Sequence, residues 1–88
     1  MSRYALAVLP AARRDLKGLD PLTLRIVDSA ILGLAVEPRP FGSKKLQGES
    51  VYRIRISTMH GPHRILYAID DTSRTVTIAR VVHRKDAY

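Results

Sequence analysis

The sequence predicts an α+β domain with an N-terminal strand, a helical hairpin and an antiparallel three-strand meander, in the order β-α-α-β-β-β. Two observations predict this order. Apolar residues recur every three or four positions in the first half, as in amphipathic helices, and every two positions after Glu49, as in half-buried strands. Short turns separate the last three strands, so we expect them to be antiparallel and to need helical cover on one face.

The chain length and composition indicate one folded domain, covering residues 1–88. A chain of this size buries only about 60–65% of its unfolded surface, so its core is modest. There is no cysteine, which excludes disulfides and thiolate metal sites. No segment has a signal-peptide layout or the length of an apolar membrane span, so we expect a cytoplasmic protein without a membrane partner.

The first strand and the first helix meet at a proline. Tyr4 to Leu9 is short and apolar, and Pro10 ends it, which favours a strand. Proline is well tolerated at the first position of a helix, so Pro10 can also begin the next element. Ala12, Leu16 and Leu19 then keep helical spacing, with charged residues between them.

The second helix has a clear start and a clear end. Asp20 is a typical N-cap, and Pro21 fits the first turn. The helix should end near Glu37 and Pro38, because a residue before proline resists the helical region. Its predicted core-facing residues recur at intervals of three and four, and they are Leu22, Ile26, Val27, Ala30, Ile31 and Leu34.

After a loop from Glu37 to Glu49, three consecutive strands are predicted. The first contains Tyr52, Ile54 and Ile56 on one face, and Arg53, Arg55 and Ser57 on the other. A turn from Ser57 to Pro62 leads to the second strand, Arg64 to Asp70, and a polar turn leads to the third, Thr75 to His83. We expect the helices to cover the Tyr52 face, which leaves the Arg53 and Arg55 face open.

The open face is rich in positive charge. The chain carries 15 Lys and Arg against 8 Asp and Glu, a formal net charge of +7. Such a balance favours a polyanionic partner such as nucleic acid, an anionic membrane surface or an acidic protein. Arg53 and Arg55 lie side by side and Arg64 begins the next strand, so their guanidinium groups repel one another unless an anion such as phosphate binds among them. The alternative is pairing with Asp70, Asp71 or Glu49.

The C-terminal half carries the motifs of a known family. These are KKLQGESVYRIRI, GPHRILYAIDD and the closing ARVVHRKDAY. They resemble the RelE/ParE superfamily of bacterial type II toxins, with its Leu-x-Gly before a Tyr-Arg-x-Arg strand, its Gly-x-x-Arg-x-x-Tyr strand and its final His-Arg and Tyr. The resemblance implies the β-α-α-β-β-β fold over the whole chain. RelE-like members cleave mRNA in the ribosomal A site, whereas ParE-like members poison DNA gyrase.

The resemblance to the RelE-like branch implies a set of site residues. Arg64 would offset charge on the phosphoryl oxygens, Arg84 would lie near the leaving oxygen, and Tyr88 could stack on a base. Phosphates would be held by Arg53 and Arg55, with Lys44 and Lys45 extending the track. Cleavage in this family uses the RNA 2′-OH as nucleophile, and no metal or other cofactor is needed.

The general base is less clear, because some cleaving members carry lysines where this chain has Arg53 and Arg55. Arginine remains protonated to about pH 12 and is a poor base. The histidines His60, His63 and His83 have the appropriate chemistry. We rank His83 first because it precedes Arg84. His63 should point opposite to Arg64, and His60 lies in a turn.

The resemblance also implies partners: the ribosome and mRNA, and an acidic, partly helical antitoxin that wraps around the toxin. Leu22, Leu24 and Leu32 do not all fit one helical stripe, so some apolar surface should remain for that antitoxin. Two alternatives stay open. One is a ParE-like inhibitor whose partner is DNA gyrase, and the other is an RNA-binding or antitoxin-binding module without toxicity.

Overall fold

The computed structural model describes residues 3–46, 48 and 50–83. Its elements appear in the predicted order, with one addition: β1 (Ala5–Val8), α1 (Pro10–Lys17), α2 (Pro21–Val36), β2 (Lys44–Lys45), β3 (Val51–Thr58), β4 (Gly61–Asp70) and β5 (Thr75–His83). The predicted α+β fold class is therefore confirmed. The addition, β2, is a two-residue strand in the segment that was expected to be only a loop.

The strands form one mixed sheet in the order β1-β5-β4-β3-β2. The three consecutive strands β3, β4 and β5 are antiparallel neighbours, as predicted, and β2 adds an antiparallel edge. The first strand β1 pairs in parallel with the last strand β5. The chain therefore returns its N-terminus to the sheet next to β5, and the helical hairpin lies between β1 and the meander in sequence.

The predicted starts of both helices and the predicted end of α2 are confirmed, whereas α1 ends at Lys17, before Leu19. Pro10 is the first residue of α1, and the Asp20 carboxylate caps α2 by accepting a hydrogen bond from the Thr23 amide at 3.2 Å. The second helix ends at Val36, directly before Glu37 and Pro38. Each confirmed boundary follows from local backbone chemistry at proline or at a capping carboxylate.

The helices cover one face of the sheet, and Tyr52, Ile54 and Ile56 pack against the core there, as expected. The buried residues of this core are Ala12, Val27, Ile31, Leu34, Ile65, Tyr67, Val76, Ile78 and Val81. Burial of this apolar surface is the dominant stabilising contribution to such a fold.

The predicted inner face of α2 was wrong at Leu22 and Ile26. Their side chains are 53% and 41% exposed, whereas Thr23 and Val27 are buried. With 3.6 residues per turn, a stripe centred on Thr23 and Val27 turns Leu22 toward solvent. The expectation that some apolar surface stays exposed is confirmed, since Leu32 is 59% exposed on the same outer side.

The β3–β4 hairpin is tighter than predicted. The strands continue to Thr58 and resume at Gly61, so that only Met59 and His60 form the turn instead of the whole Ser57 to Pro62 segment. Gly61 has a φ of 94°, a backbone conformation that side-chain-bearing residues rarely adopt. The Thr58 hydroxyl donates to the Gly61 carbonyl at 2.9 Å and helps to close the turn.

Candidate nucleic-acid interface

Basic side chains meet on the sheet face opposite the helices. Arg55 is the direct antiparallel partner of Arg64, and Lys44 is the direct partner of Arg53. Directly opposite residues project to the same face of a sheet. Since Tyr52 and its alternating neighbours face the helices, these four basic residues share the uncovered face. We call Lys44, Arg53, Arg55 and Arg64 the arginine face.

The arginine face lacks compensating charge within the residues that the structure describes. The ion pairs among the described residues are Arg39–Asp71, His60–Asp20 and Arg80–Asp15. None of these pairs includes a residue of the arginine face. The Nε atoms of Arg53 and Arg64 are buried and have no hydrogen-bond partner among residues 3–46, 48 and 50–83. An unsatisfied buried polar group costs about 1–3 kcal/mol. A bound anion could supply the missing acceptors.

The expected structural alternative, pairing with Asp70 or Asp71, is wrong. Asp71 accepts two hydrogen bonds from the Arg39 guanidinium at 2.8 and 3.2 Å, and one from the Tyr4 hydroxyl at 2.6 Å. The hydrogen bonds from Arg39, followed by that from Tyr4, lower the Asp71 pKa to about 2. Asp70 accepts from the amides of Thr72 and Ser73 in the β4–β5 turn. Glu49 lies outside the described residues.

The structure separates the two neighbouring lysines. Lys44 is opposite Arg53, whereas Lys45 is opposite Tyr52. Because successive side chains in a strand point to opposite faces, Lys45 projects to the side of the sheet that carries the helices. The structure therefore brings Lys44, and not Lys45, to the arginine face.

His83 is not brought together with Arg64. The partner of Arg64 on β5 is Val82, and His83 is opposite His63. The two imidazole rings lie edge to face on the helix side, with centroids 4.8 Å apart. His83 Nε2 also donates a hydrogen bond to the His60 carbonyl oxygen. The strand alternation that directs His63 away from Arg64 applies equally to His83.

The remaining histidines belong to the β3–β4 hairpin, and His60 also contacts the start of α2. His63 is 4% exposed, and its Nδ1 is hydrogen-bonded to Thr58 Oγ1 at 3.1 Å. Burial, and then the neighbouring His83, lower the pKa of His63. His60 Nε2 lies 3.0 Å from an Asp20 carboxylate oxygen at the start of α2. All three histidines therefore belong to the helix side of the sheet.

A cavity of about 390 Å³ lies beside these histidines, between α1 and the ends of β4 and β5. Because it is on the helix side, the sheet separates it from the arginine face. Its lining combines charged, imidazole and apolar groups, from Arg14, Asp15, Gly18, Leu19, His63, Val81 and His83.

Asp15 makes contacts that the sequence did not reveal. It is one of the charged residues between Ala12 and Leu16 in α1, and its carboxylate accepts from Arg80 Nε at 2.7 Å, from Arg80 Nη2 at 3.1 Å and from the Val81 amide at 2.9 Å. Burial raises the pKa of Asp15, but these hydrogen bonds outweigh that effect and leave the pKa lowered. No sequence signal links residues 65 positions apart.

Two of the predicted site residues, Arg84 and Tyr88, lie outside the residues that the structure describes. Among residues 3–46, 48 and 50–83, no group of three or more potential side-chain ligands is placed to hold a metal ion. Within the same ranges, neither helix is long and apolar enough to cross a membrane.

Comparison with known proteins identifies the family. The ParE toxin family of type II toxin–antitoxin systems, parDE, matches residues 6–88. Toxin RelG of Mycobacterium tuberculosis is 41% identical over 86 residues, which cover 97% of this chain and 95% of that toxin. Both matches extend across nearly the whole chain, including the arginine face.

Solved structures of toxin–antitoxin complexes match the fold of this chain. A chain of the RelBE2 toxin–antitoxin complex from Mycobacterium tuberculosis superposes with a TM-score of 0.82 at 38% identity, covering 98% of this chain and 97% of that chain. The intact E. coli RelBE complex gives a TM-score of 0.76 at 21% identity, over 90% of this chain and 94% of that chain, and supports the fold. The chain belongs to the RelE/ParE superfamily of type II toxin–antitoxin toxins.

Proposed function

We propose that this toxin is a ribosome-dependent mRNA endonuclease that cleaves in the A site and so inhibits translation. One observation carries the proposal: the buried Nε atoms of Arg53 and Arg64 have no partner within the described chain, on a face without a paired carboxylate. Guanidinium groups match phosphate in charge and in hydrogen-bonding geometry. An RNA backbone supplies several phosphates in a row.

The proposed reaction is attack of the RNA 2′-oxygen on the adjacent phosphorus. The bond to the 5′-oxygen of the next nucleotide breaks, and a 2′,3′-cyclic phosphate remains. The proton of the 2′-hydroxyl is lost to solvent base, and the departing 5′-oxygen gains one. Such a reaction needs alignment of the 2′-oxygen and stabilisation of charge on the phosphoryl oxygens.

The arginine face can supply both requirements. Arg64 is the proposed donor to the phosphoryl oxygens, and one positioned donor of this kind typically contributes about 3 kcal/mol to lowering the barrier. The scissile and flanking phosphates would be held by Arg55 and Arg53. Arg55 lies directly across from Arg64, and Arg53 is two residues before Arg55 on β3. Arg84 near the leaving oxygen and Tyr88 stacked on a base remain proposals from the family resemblance.

The general base is proposed to be solvent hydroxide instead of a histidine of this toxin. The described residues of the arginine face are three arginines and one lysine, so this face contributes neither an imidazole nor a carboxylate. His83, the first-ranked candidate, contacts His63 on the other side of the sheet. This toxin would then accelerate cleavage by alignment and charge stabilisation.

A cognate antitoxin is the second proposed partner, beside the ribosome and its mRNA. Two similar structures, RelBE2 and RelBE, are toxin–antitoxin complexes. The net charge of +7 favours an acidic partner, and the exposed Leu22 and Leu32 offer apolar surface to a helical segment. We propose an acidic, partly helical antitoxin that neutralises the arginine face.

The alternative is inhibition of DNA gyrase, which the match to the ParE toxin family favours. Two assays on one preparation separate the branches: translation of a defined mRNA in a purified system, and supercoiling of relaxed plasmid by purified gyrase. Our proposal predicts arrested translation with a cut message and normal supercoiling. Blocked supercoiling with an intact message would overturn it, and inactivity in both assays would favour a module without toxicity.

A further inference from the structure

The edge of β5 that faces away from β4 contacts β1 along its first half and α1 along its second half. β1 pairs with β5 only from Thr75 to Ile78, since β1 ends at Val8 and Pro10 begins α1. Beyond Ile78 the edge is no longer covered by a strand. A free sheet edge presents unpaired amides, which need other partners.

Asp15 provides such a partner from α1. Its Oδ2 accepts the Val81 amide, and both carboxylate oxygens accept the Arg80 guanidinium. The Asp15 side chain is only 17% exposed, compared with 49% for Arg80. Charge-assisted hydrogen bonds to a partly buried carboxylate are stronger than neutral ones. At this edge the Asp15 carboxylate accepts the Val81 amide, which a neighbouring strand would otherwise do.

These contacts occur at an irregular part of the sheet. The pairing of β4 with β5 shifts between Leu66 and Tyr67, where Leu66 is opposite Arg80 but Tyr67 is opposite Ile78. The extra residue, Ala79, makes a bulge, and bulges redirect the following side chains. Asp15 contacts Arg80 and Val81, the two residues directly after the bulge.

Arg80 also lies in line with the arginine face. Lys44 is opposite Arg53, Arg53 is opposite Leu66, and Leu66 is opposite Arg80. The Arg80 guanidinium does not join that row freely, because Asp15 in α1 holds it at the sheet edge. Three residues after Val81, the chain reaches Arg84.

We propose that Asp15 is a positioning residue for RNA cleavage, acting through the Val81 amide to fix the end of β5, where Val82 lies directly opposite Arg64 of the arginine face. The inference rests on the proposed nuclease function. Asp15 itself touches no RNA in this proposal. Its effect should therefore fall on the rate of the bound complex and not on RNA affinity.

Three variants separate the two contacts. Arg80→Ala removes the ion pair and leaves the Val81 contact, Asp15→Asn keeps an acceptor oxygen for Val81, and Asp15→Ala removes both. Asp28→Asn on α2 is the matched control, because Asp28 is an exposed acidic residue on the other helix. Thermal melts of each variant define a temperature at which all of them are folded.

Cleavage on programmed ribosomes then gives kcat and KM at that temperature. We expect Asp15→Ala to lower kcat at least tenfold and to change KM less than twofold. Asp15→Asn should recover most of the wild-type kcat. The controls Arg80→Ala and Asp28→Asn should keep kcat within threefold of wild type. An Asp15→Ala variant with wild-type kcat, or an Arg80→Ala variant with an equal loss, would overturn the proposal.

Hydrogen exchange of the Val81 to His83 amides gives a second measurement that does not depend on cleavage. We expect at least tenfold faster exchange in Asp15→Ala, with the β3 amides unchanged. Unchanged exchange at Val81 would refute the positioning role even if cleavage falls. If wild-type toxin cuts no RNA, the proposed function fails, and the positioning of β5 by Asp15 is still decided by the exchange result.

Discussion

Arg55 and Arg64 lie directly opposite each other on β3 and β4, on a sheet face where the described chain provides no paired carboxylate. Like charges facing across two strands are destabilising. The sheet tolerates the pair because its core is built on the other face, around residues such as Ile65 and Tyr67. We expect a phosphate bound between the two guanidinium groups to relieve this repulsion.

Anion binding should therefore stabilise this toxin through Arg64. We expect sulfate or phosphate to raise the melting temperature by several degrees more than chloride at equal ionic strength, since a ligand of the folded state shifts the unfolding equilibrium. Arg64→Ala should lose most of this difference, and Arg25→Ala, on exposed α2 surface, should keep it. Equal anion effects in both variants would show that the arginine face does not bind the anion.

The two neighbouring lysines provide a test of face assignment. Lys44→Ala should weaken binding to a single-stranded RNA and reduce the salt dependence of log K by about 0.7, the value for one lost phosphate contact. Lys45→Ala should change neither quantity, because Lys45 is opposite Tyr52 on the other side. Fluorescence anisotropy titrations at several salt concentrations measure both. Equal losses for the two variants would contradict the register.

The pH dependence of the free energy of unfolding should reflect protonation of the His63 imidazole. Burial lowers its pKa, so between that pKa and the unfolded value of about 6.5 the unfolded chain binds more protons than the folded chain. Stability from the neutral imidazole is thus present above about pH 6.5 and is lost as the pH falls.

Urea unfolding at pH 5 to 7.5 measures this loss. His63→Gln should flatten the curve, whereas Asp71→Asn should leave its slope unchanged, since the Asp71 pKa is about 2. A His63→Gln slope equal to that of wild type would contradict the assignment.

The pH dependence of cleavage should distinguish hydroxide from a histidine base. With no imidazole at Arg64, we expect the single-turnover rate to rise about tenfold per pH unit from pH 6 to 8.5, as for pre-equilibrium loss of the 2′-hydroxyl proton. His83→Gln should keep this slope and lose less than tenfold in rate. A wild-type plateau above pH 7 that disappears in His83→Gln would instead establish His83 as the base.

Most of the fold could be predicted because its signals are local. Pro10, Asp20 and Pro38 mark helix boundaries through backbone chemistry, and the period of two from Tyr52 to Ile56 assigns a face to each residue of β3. The parallel pairing of β1 with β5 could not be predicted, because it joins the two ends of the chain and depends on the packed helices.

The membership of the candidate site was largely predictable, but its register was not. The sequence predicted that Arg53 and Arg55 share a face and that Arg64 and Lys44 lie near them, and the structure places Arg64 opposite Arg55 and Lys44 opposite Arg53. His83 was ranked by its sequence neighbour Arg84, whereas the strand register places His83 opposite His63 and Val82 opposite Arg64. The contacts of Asp15 with Arg80 bring together a helix and a sheet edge, which no local pattern encodes.

The most direct test of the nuclease proposal is cleavage of mRNA on programmed 70S ribosomes. RNA ends are mapped by primer extension, and the 3′ ends are tested for a 2′,3′-cyclic phosphate, for wild type, Arg64→Ala and the control Arg25→Ala. We predict cuts in the A-site codon with cyclic ends, a loss of about 10²–10³-fold in rate for Arg64→Ala, and no loss for the control. An uncut message with folded wild-type toxin, or equal cleavage by Arg64→Ala, would contradict the account.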